Sequence, residues 1–208
     1  MIPVEVATAF FAASVALALA PGPDNLFVLT LSALHGRVAG WIVVLGLCTG
    51  LLVHISAVAL GLAALVLASP TAFLVIKFVG AGYLLWLAWG AFRAGAAGAG
   101  DSKVEQLPAG ALYLRGIVMN VTNPKVGLFF LAFLPQFVDA GRGPVALQVG
   151  QLGLLFILAT SLIFGAIAWG AGALTEWFGR SPVVEVWLNR VAGVVFVALA
   201  VRLALAAR

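Results

Sequence analysis

Two side chains of opposite charge, Asp24 and Lys125, stand inside apolar segments of the 208-residue chain. Ionisable groups are costly in lipid and usually face a polar cavity or a partner. Asp24 suits the positive end of a helix, whereas Lys125 meets the wrong end of the helix dipole and requires an anion. We therefore expect Asp24 to bind an α-ammonium and Lys125 an α-carboxylate. The structural alternatives are that Asp24 is a plain helix cap, or that Asp24 and Lys125 form a static ion pair.

Each charge belongs to a motif that interrupts an apolar run. The helix-breaking residues are Pro21, Gly22, Pro23, Asn120 and Pro124. Proline lacks an amide hydrogen and glycine lets the backbone turn, so both motifs predict a broken helix whose second half starts at a proline. The first segment needs a break on length alone, because about 30 residues would measure about 45 Å against about 30 Å of hydrocarbon.

Further polar residues complete the candidate site. Asn123 can cap the second half-helix, and Asn25 can bond to the loosened backbone of the first. Gln151 shares a helical face with Gln148 and could line the same cavity or bridge two helices. His54 is a candidate for proton coupling alongside Asp24, since histidine titrates near neutral pH; a neutral interhelical histidine is the alternative. The predicted substrate-binding residues are Asp24, Asn25, Asn123, Lys125 and Gln151.

The composition identifies lipid as the solvent of most of the surface. Apolar residues make up 64% of the chain and charged residues only 9%, whereas soluble domains carry about 25% charged residues. The net charge of +4 comes from scattered basic residues, which excludes a nucleic-acid partner. Cys48 is the sole cysteine, and the sequence contains no metal-binding, cofactor-binding or catalytic motif. We expect a membrane protein that is not an enzyme.

Six apolar segments predict an all-α membrane protein with six transmembrane helices, of which helices 1 and 4 are broken. The segments cover about 5–34, 39–68, 71–93, 111–138, 145–174 and 183–207. A hydrophilic linker at 94–110 divides one transmembrane domain, residues 1–208, into repeats of about 5–93 and 111–207.

The two halves share features in the same order. Pro23 aligns with Pro124 and Asp24 with Lys125, and Lys77-x-x-Gly80 aligns with Arg190-x-x-Gly193. An odd number of spans per repeat gives opposite orientations in the membrane, so the pattern predicts the inverted repeats of secondary transporters. Basic residues are more frequent beside the odd-numbered connections, which favours a cytoplasmic position for those connections and places both termini outside.

Six short motifs, in order along nearly the whole chain, resemble the LysE/RhtB amino-acid exporter family. They are Pro21-Gly22-Pro23-Asp24-Asn25, His35-Gly36, Lys77 to Leu84, Asn120 to Lys125, Leu134-Pro135-Gln136-Phe137 and Leu188 to Gly193. The resemblance implies an exporter of amino acids in the bacterial inner membrane, driven by protons in an antiport cycle. It also raises a homodimer as an assembly to test.

One acid and one base suit a zwitterion better than a divalent cation, which prefers several oxygen or sulfur ligands. The apolar segments hold no second deep acid, which argues against a dicationic cargo such as lysine. We therefore expect a neutral or hydroxylated amino acid as cargo. A metal-cation exporter of a related family and a non-transporting membrane scaffold subunit are the alternative functions.

Overall fold

A computed structural model describes residues 2–20, 22–68, 70–93, 107–180 and 182–205. All regular elements in these ranges are helical. The α-helices are α1 (Val4–Leu19), α2 (Pro23–Ala68), α3 (Pro70–Arg93), α4 (Ala109–Thr122), α5 (Pro124–Leu128), α6 (Val145–Arg180) and α7 (Pro182–Leu205). A π-helical turn, Phe129–Phe133, and two 3-10 turns, Leu134–Phe137 and Ala140–Arg142, follow α5. Pro21 and linker residues 94–106 lie outside the described residues.

Proline and glycine explain where the helices begin and turn. The first residue of α2, α3, α5 and α7 is a proline, whose missing donor is harmless there and whose φ is already helical. Within α2, Gly36 has a φ of +82° and a ψ of 165°, a conformation open to glycine. The first and second apolar segments therefore meet at Gly36.

The expected all-helical architecture with apolar helices is confirmed. In the described ranges, Pro23–Gly61 and Val145–Ala171 are each long and apolar enough to cross a membrane. A third span is added if the helix pair Ala109–Thr122 and Pro124–Phe137, which is bent by 48°, is counted as one broken span. These ranges hold seven α-helices where the sequence predicts six spans. The difference arises because helices stop at Leu19 and Thr122, while α2 combines two helical segments that meet at a kink at Gly36.

The packing buries the segments that follow the two interruptions. Helix α2 packs on α4 and α6, α3 packs on α7, and α1 packs on α6. One core contains Phe10, Phe129 and Phe133, and a second contains Val43 and Phe164. Large apolar side chains such as those of α2, α6 and α7 cover the exterior, as expected for a surface in contact with lipid.

Glycines allow α2 and α4 to cross closely. A Cβ atom on Gly116 would lie 2.5 Å from the carbonyl oxygen of Val43, and one on Gly46 would collide with the carbonyl oxygen of Tyr113. A Cβ atom on Gly50 would lie 2.7 Å from the Cβ atom of Asn120. The crossing thus presses the end of α4 onto α2 and fixes where the second interruption lies.

We predict that Gly116→Ala lowers the unfolding midpoint in detergent, since overpacking a close contact costs about 1–3 kcal/mol. Gly150→Ala in α6 is the matched control, because nothing lies within 4 Å of a Cβ atom there. Alanine favours a helix by about 0.8–1.0 kcal/mol over glycine, so the control should not lower the midpoint. Equal midpoints for both variants would contradict the close crossing.

Candidate functional site at two helix ends

The first interruption leaves carbonyl groups at the end of α1 without helical partners. The N–H of Ala20 still donates to the carbonyl of Ala16 at 3.1 Å, but a ψ of 122° takes Ala20 out of the helix. The Asn25 side chain turns back from α2 and donates through Nδ2 to the carbonyl oxygen of Ala18 at 2.8 Å. Asn25 therefore bonds the loosened backbone, as the sequence predicts.

Lys125 supplies further hydrogen bonds to this helix end. Its Nζ donates to the carbonyl oxygens of Ala20 at 3.0 Å and Leu17 at 3.3 Å. The side chain starts in the first turn of α5 but carries its charge to the negative end of the α1 dipole, where a cation is stabilised. The expectation that Lys125 needs an anion was incomplete, because the carbonyl end of a second helix offers a partial negative charge.

Asn123 links the second interruption to the first. Its Oδ1 accepts from the N–H of Lys125 at 2.9 Å and so caps α5, as predicted. Its Nδ2 donates to Asp24 Oδ2 at 2.8 Å. One amide thus joins the starts of α2 and α5.

Asp24 lies in the first turn of α2 and is 2% exposed. Its Oδ2 is bound by Asn123, but its Oδ1 has no hydrogen-bond partner. In the described part of the chain, the ion pair within 4.0 Å joins Arg142 and Asp139. The static bridge between Asp24 and Lys125 is therefore not formed in this conformation.

Asn120 and His54 extend this arrangement along α4. The carbonyl oxygen of Asn120 lies 3.0 Å from the N–H of Asn123 and 3.1 Å from His54 Nε2. A carbonyl can only accept, so His54 Nε2 carries the hydrogen. The His54 ring also stacks on Phe130 at 5.8 Å between centroids. Asn120, expected only as a helix-breaking residue, also buries its side chain here at 2% exposure.

The name polar cluster denotes Asp24, Asn25, Asn120, Asn123 and Lys125. Three of its side-chain oxygens, Asp24 Oδ1, Asn25 Oδ1 and Asn120 Oδ1, are buried without a partner. An unsatisfied buried acceptor costs about 1–3 kcal/mol. Such atoms mark a place where a donor outside the chain could bind.

Gly22 gives the Lys125 ammonium its room. A Cβ atom on Gly22 would lie 3.1 Å from Lys125 Nζ and 3.8 Å from Asn25 Oδ1. A larger residue would therefore displace the ammonium from the end of α1. Among the helix-breaking residues, Pro23 and Pro124 occupy the first positions of α2 and α5.

Gln151 lies elsewhere. Its Oε1 accepts from the N–H of Ile2 at 3.3 Å, at the beginning of α1, whereas the polar cluster adjoins the end of that 16-residue helix, about 24 Å away at 1.5 Å per residue. Gln148 instead holds the connection before α6, since its Nε2 donates to the carbonyls of Asp139 and Gly143. The structure does not bring either glutamine to the cluster.

An all-helical protein with lipid-facing apolar helices and a buried cluster of mixed charge at two helix ends has the features of a membrane translocator. The sequence model of the LysE type translocator family matches residues 15–207. The chain therefore belongs to this family, as the motifs indicated. The family is one of translocators rather than enzymes, and we describe the chain as a multi-pass membrane protein.

Curated relatives cover nearly the whole chain. A homoserine/homoserine lactone efflux protein of Salmonella typhi is 32% identical over 94% of this chain and 94% of its own length. A leucine efflux protein of Salmonella choleraesuis is 28% identical over 94% of this chain and 92% of its own. An uncharacterized membrane protein of Vibrio cholerae is 31% identical over 98% of both. No solved structure matches the chain.

We predict that Asn25→Ala lowers the unfolding free energy by about 1–2 kcal/mol, because the carbonyl of Ala18 loses its donor. Thr8→Ala, in α1, is the control. The Thr8 hydroxyl bonds to the carbonyl of Val4 on an exposed face, so its loss should change the free energy by less than about 0.5 kcal/mol. Thermal or denaturant unfolding in detergent measures both. A smaller effect at Asn25 than at Thr8 would refute its capping role.

Proposed function

We propose that the protein exports neutral or hydroxylated amino acids by alternating access, in exchange for protons. Family membership supports this proposal, as do relatives named for the efflux of homoserine and leucine. Homoserine is hydroxylated and leucine is aliphatic, and both are zwitterions with neutral side chains. The cargo expected from the sequence belongs to the same chemical class.

The observation that carries the proposal is the separate holding of two buried charges. The Lys125 ammonium rests on neutral carbonyl groups, and Asp24 keeps one oxygen without a donor. A substrate carboxylate would bind the ammonium more strongly than a carbonyl does, because a full negative charge attracts a cation more strongly than a carbonyl dipole does in a low-dielectric interior. A substrate ammonium would satisfy Asp24 Oδ1.

Substrate binding would then act on the end of α1. When the carboxylate draws Lys125 away, the carbonyls of Leu17 and Ala20 lose their donor. The bound and empty states would differ in the contact between α1 and α5, so the substrate could shift the balance between two conformations. This link between binding and helix contact is what an alternating-access cycle requires.

The membrane arrangement that we propose has six spans in two inverted repeats within one domain. The first span would be α1 with the start of α2 as far as Gly36, and the fourth would be α4 with the segment to Phe137. Residues Glu5 and Asp139 line one cavity, which supports a common face for the amino terminus and the connection before α6. We assign that face and both termini to the outside of the bacterial inner membrane.

His54 and Asp24 are the proposed proton carriers. His54 contacts the backbone of the second interruption through Asn120, so a change in its charge would be felt there. Lipid would cover the apolar exterior, and a second copy of the chain is the assembly partner that we propose.

The two alternative functions make different demands on the same residues. A divalent cation would be repelled by Lys125, and the polar cluster offers it a single carboxylate. A scaffold subunit would use the cluster only for packing and would transport no amino acid. Replacing the cluster charges would then change no amino-acid flux.

We predict that Asp24→Asn and Lys125→Met each reduce amino-acid flux in proteoliposomes at least about tenfold, since a hydrogen bond to a charged group contributes about 1.5–3 kcal/mol. Arg115→Met is the matched control, because this α4 cation is exposed and lies outside the cluster. The folded fraction of each variant is checked by size-exclusion chromatography. Unchanged flux in both cluster variants would refute the proposed site.

Counterflow of labelled amino acids tests the class of cargo. We predict that leucine, threonine and homoserine exchange at least about tenfold faster than lysine. Burial of the unpaired side-chain ammonium of lysine carries a large desolvation cost. Norleucine is the matched control for lysine, since its chain has a similar length without the charge. Lysine transport as fast as that of norleucine would contradict a neutral-cargo site.

A further inference from the structure

A cavity of about 370 Å³ lies at the end of α1 remote from the polar cluster. This volume falls within the range of small-molecule sites. The lining residues are Pro3, Glu5, Val6, Ala9, Gln136, Phe137, Val138, Asp139, Arg142 and Gln148. Both signs of charge occur at its wall, since Glu5 stands beside the Asp139–Arg142 ion pair. The wall is therefore compatible with a zwitterion.

Four phenylalanine rings in tilted and edge-to-face contact form the inner side of this cavity. Phe137 lines the cavity and lies 5.2 Å from Phe10 and 5.0 Å from Phe133 between ring centroids. Phe129 lies 4.9 Å from Phe133 and 5.8 Å from Phe10. We call these four residues the phenylalanine plug. Phe10, Phe129 and Phe133 are 0% exposed, so the plug contains no open path.

The far side of the plug reaches the polar cluster. The N–H of Phe129 donates to the carbonyl of Lys125, which places Phe129 one turn from the cluster. Phe10 precedes Leu17, whose carbonyl accepts from Lys125 Nζ, by seven residues of α1, or about 10 Å. Phe10 of the plug therefore lies about 10 Å along α1 from the helix end that holds Lys125, and the plug lies between the cavity and the buried charges.

The backbone that carries three of these rings departs from α-helical geometry. Phe129–Phe133 is a π-helical turn and Leu134–Phe137 a 3-10 turn. Pro135 explains the change, because it lacks a donor and its ring clashes with the carbonyl four residues earlier in an α-helix. The Gln136 side chain donates instead to the carbonyl of Ala132 at 3.0 Å.

A π-helical turn holds one more residue than an α-helical turn, and such turns are frequent at functional sites. If the Phe129–Phe133 turn tightened to α geometry, the residues after it would rotate by about 100°, the angle of one residue. The rings of Phe133 and Phe137 would then leave the plug without unfolding of the helix.

We propose that the cavity is the vestibule through which the amino acid passes between the polar cluster and the α1 amino-terminal face, and that the phenylalanine plug is its gate. The inference rests on the proposed export function. The four rings close the path in this conformation, and the change of helical geometry opens it. The other face of the protein needs a separate gate.

Cysteine accessibility tests the gate independently of transport. Cys48→Ser removes the sole cysteine, and a reporter is added as Ala9→Cys in the cavity wall or as Ser14→Cys. Ser14 is 0% exposed and lies one turn deeper than Phe10. Each protein is placed in nanodiscs and labelled with a water-soluble maleimide. We expect rapid labelling at position 9 and protection at position 14.

Phe133→Ala should then raise the labelling rate at position 14 at least about tenfold, because loss of the central ring favours local opening. Phe164→Ala is the matched control, since that ring is buried at 5% exposure in the second core. Phe137→Ala, at the cavity wall, provides a second variant if Phe133→Ala does not give folded protein.

Unchanged protection in the folded plug variant, or an equal rise with Phe164→Ala, would overturn the gate. Failure of the gate and failure of the export function are distinguishable, because labelling requires no amino acid. A plug that opens in a protein without amino-acid flux would support the gate and refute the export function. A plug that never opens in a protein with flux would refute the gate alone.

Discussion

The structure depends on the need to satisfy helix-end backbone groups that are buried in an apolar interior. In lipid or in an apolar core, no water is available for the last carbonyls of α1 or the first amides of α5. The chain satisfies them reciprocally. Lys125, from the second interruption, donates to the end of α1, and Asn123 both caps α5 and holds Asp24 at the start of α2.

This reciprocity explains why the interruptions lie together although they are about 100 residues apart. The glycine crossing of α2 and α4 brings the Asn120 end of α4 against Gly50, and the hydrogen bonds complete the contact. Each buried charge is then hydrogen-bonded by neutral groups and not by a direct ion pair with its opposite. A pair of charges held in this way can exchange its neutral partners for a zwitterion at a smaller cost than a closed ion pair could.

The sequence indicated the local features of this arrangement and missed the long-range ones. Pro23, Pro124 and the cap that Asn123 forms on Lys125 act within a few residues of their own positions, so turn and cap preferences predicted these roles. Lys125 reaches carbonyls 105 and 108 residues away, and no local pattern specifies such a contact. The spacing of Asn120 and Asn123, three apart on one helical face, was a signal that could have added Asn120 to the site.

Gln151 illustrates a second limit of prediction from the sequence. A polar residue in an apolar helix suggests an interior role, but sequence does not tell at which depth of the membrane it lies. The connection that includes Pro135 was a similar case, because proline predicts a departure from the α-helix without specifying a π-helical turn. The contact of Gln151 with Ile2 joins residues 149 positions apart, and only the folded chain determines it.

The most direct test of the central claim is a double-mutant cycle between Asp24 and Asn123. The unfolding free energies of the wild type, Asp24→Ala, Asn123→Ala and the double variant are measured in one detergent. We predict a coupling energy of about 1.5–3 kcal/mol, the contribution of a hydrogen bond to a charged group. Effects that add to within about 0.5 kcal/mol would show that the two helix ends do not support each other.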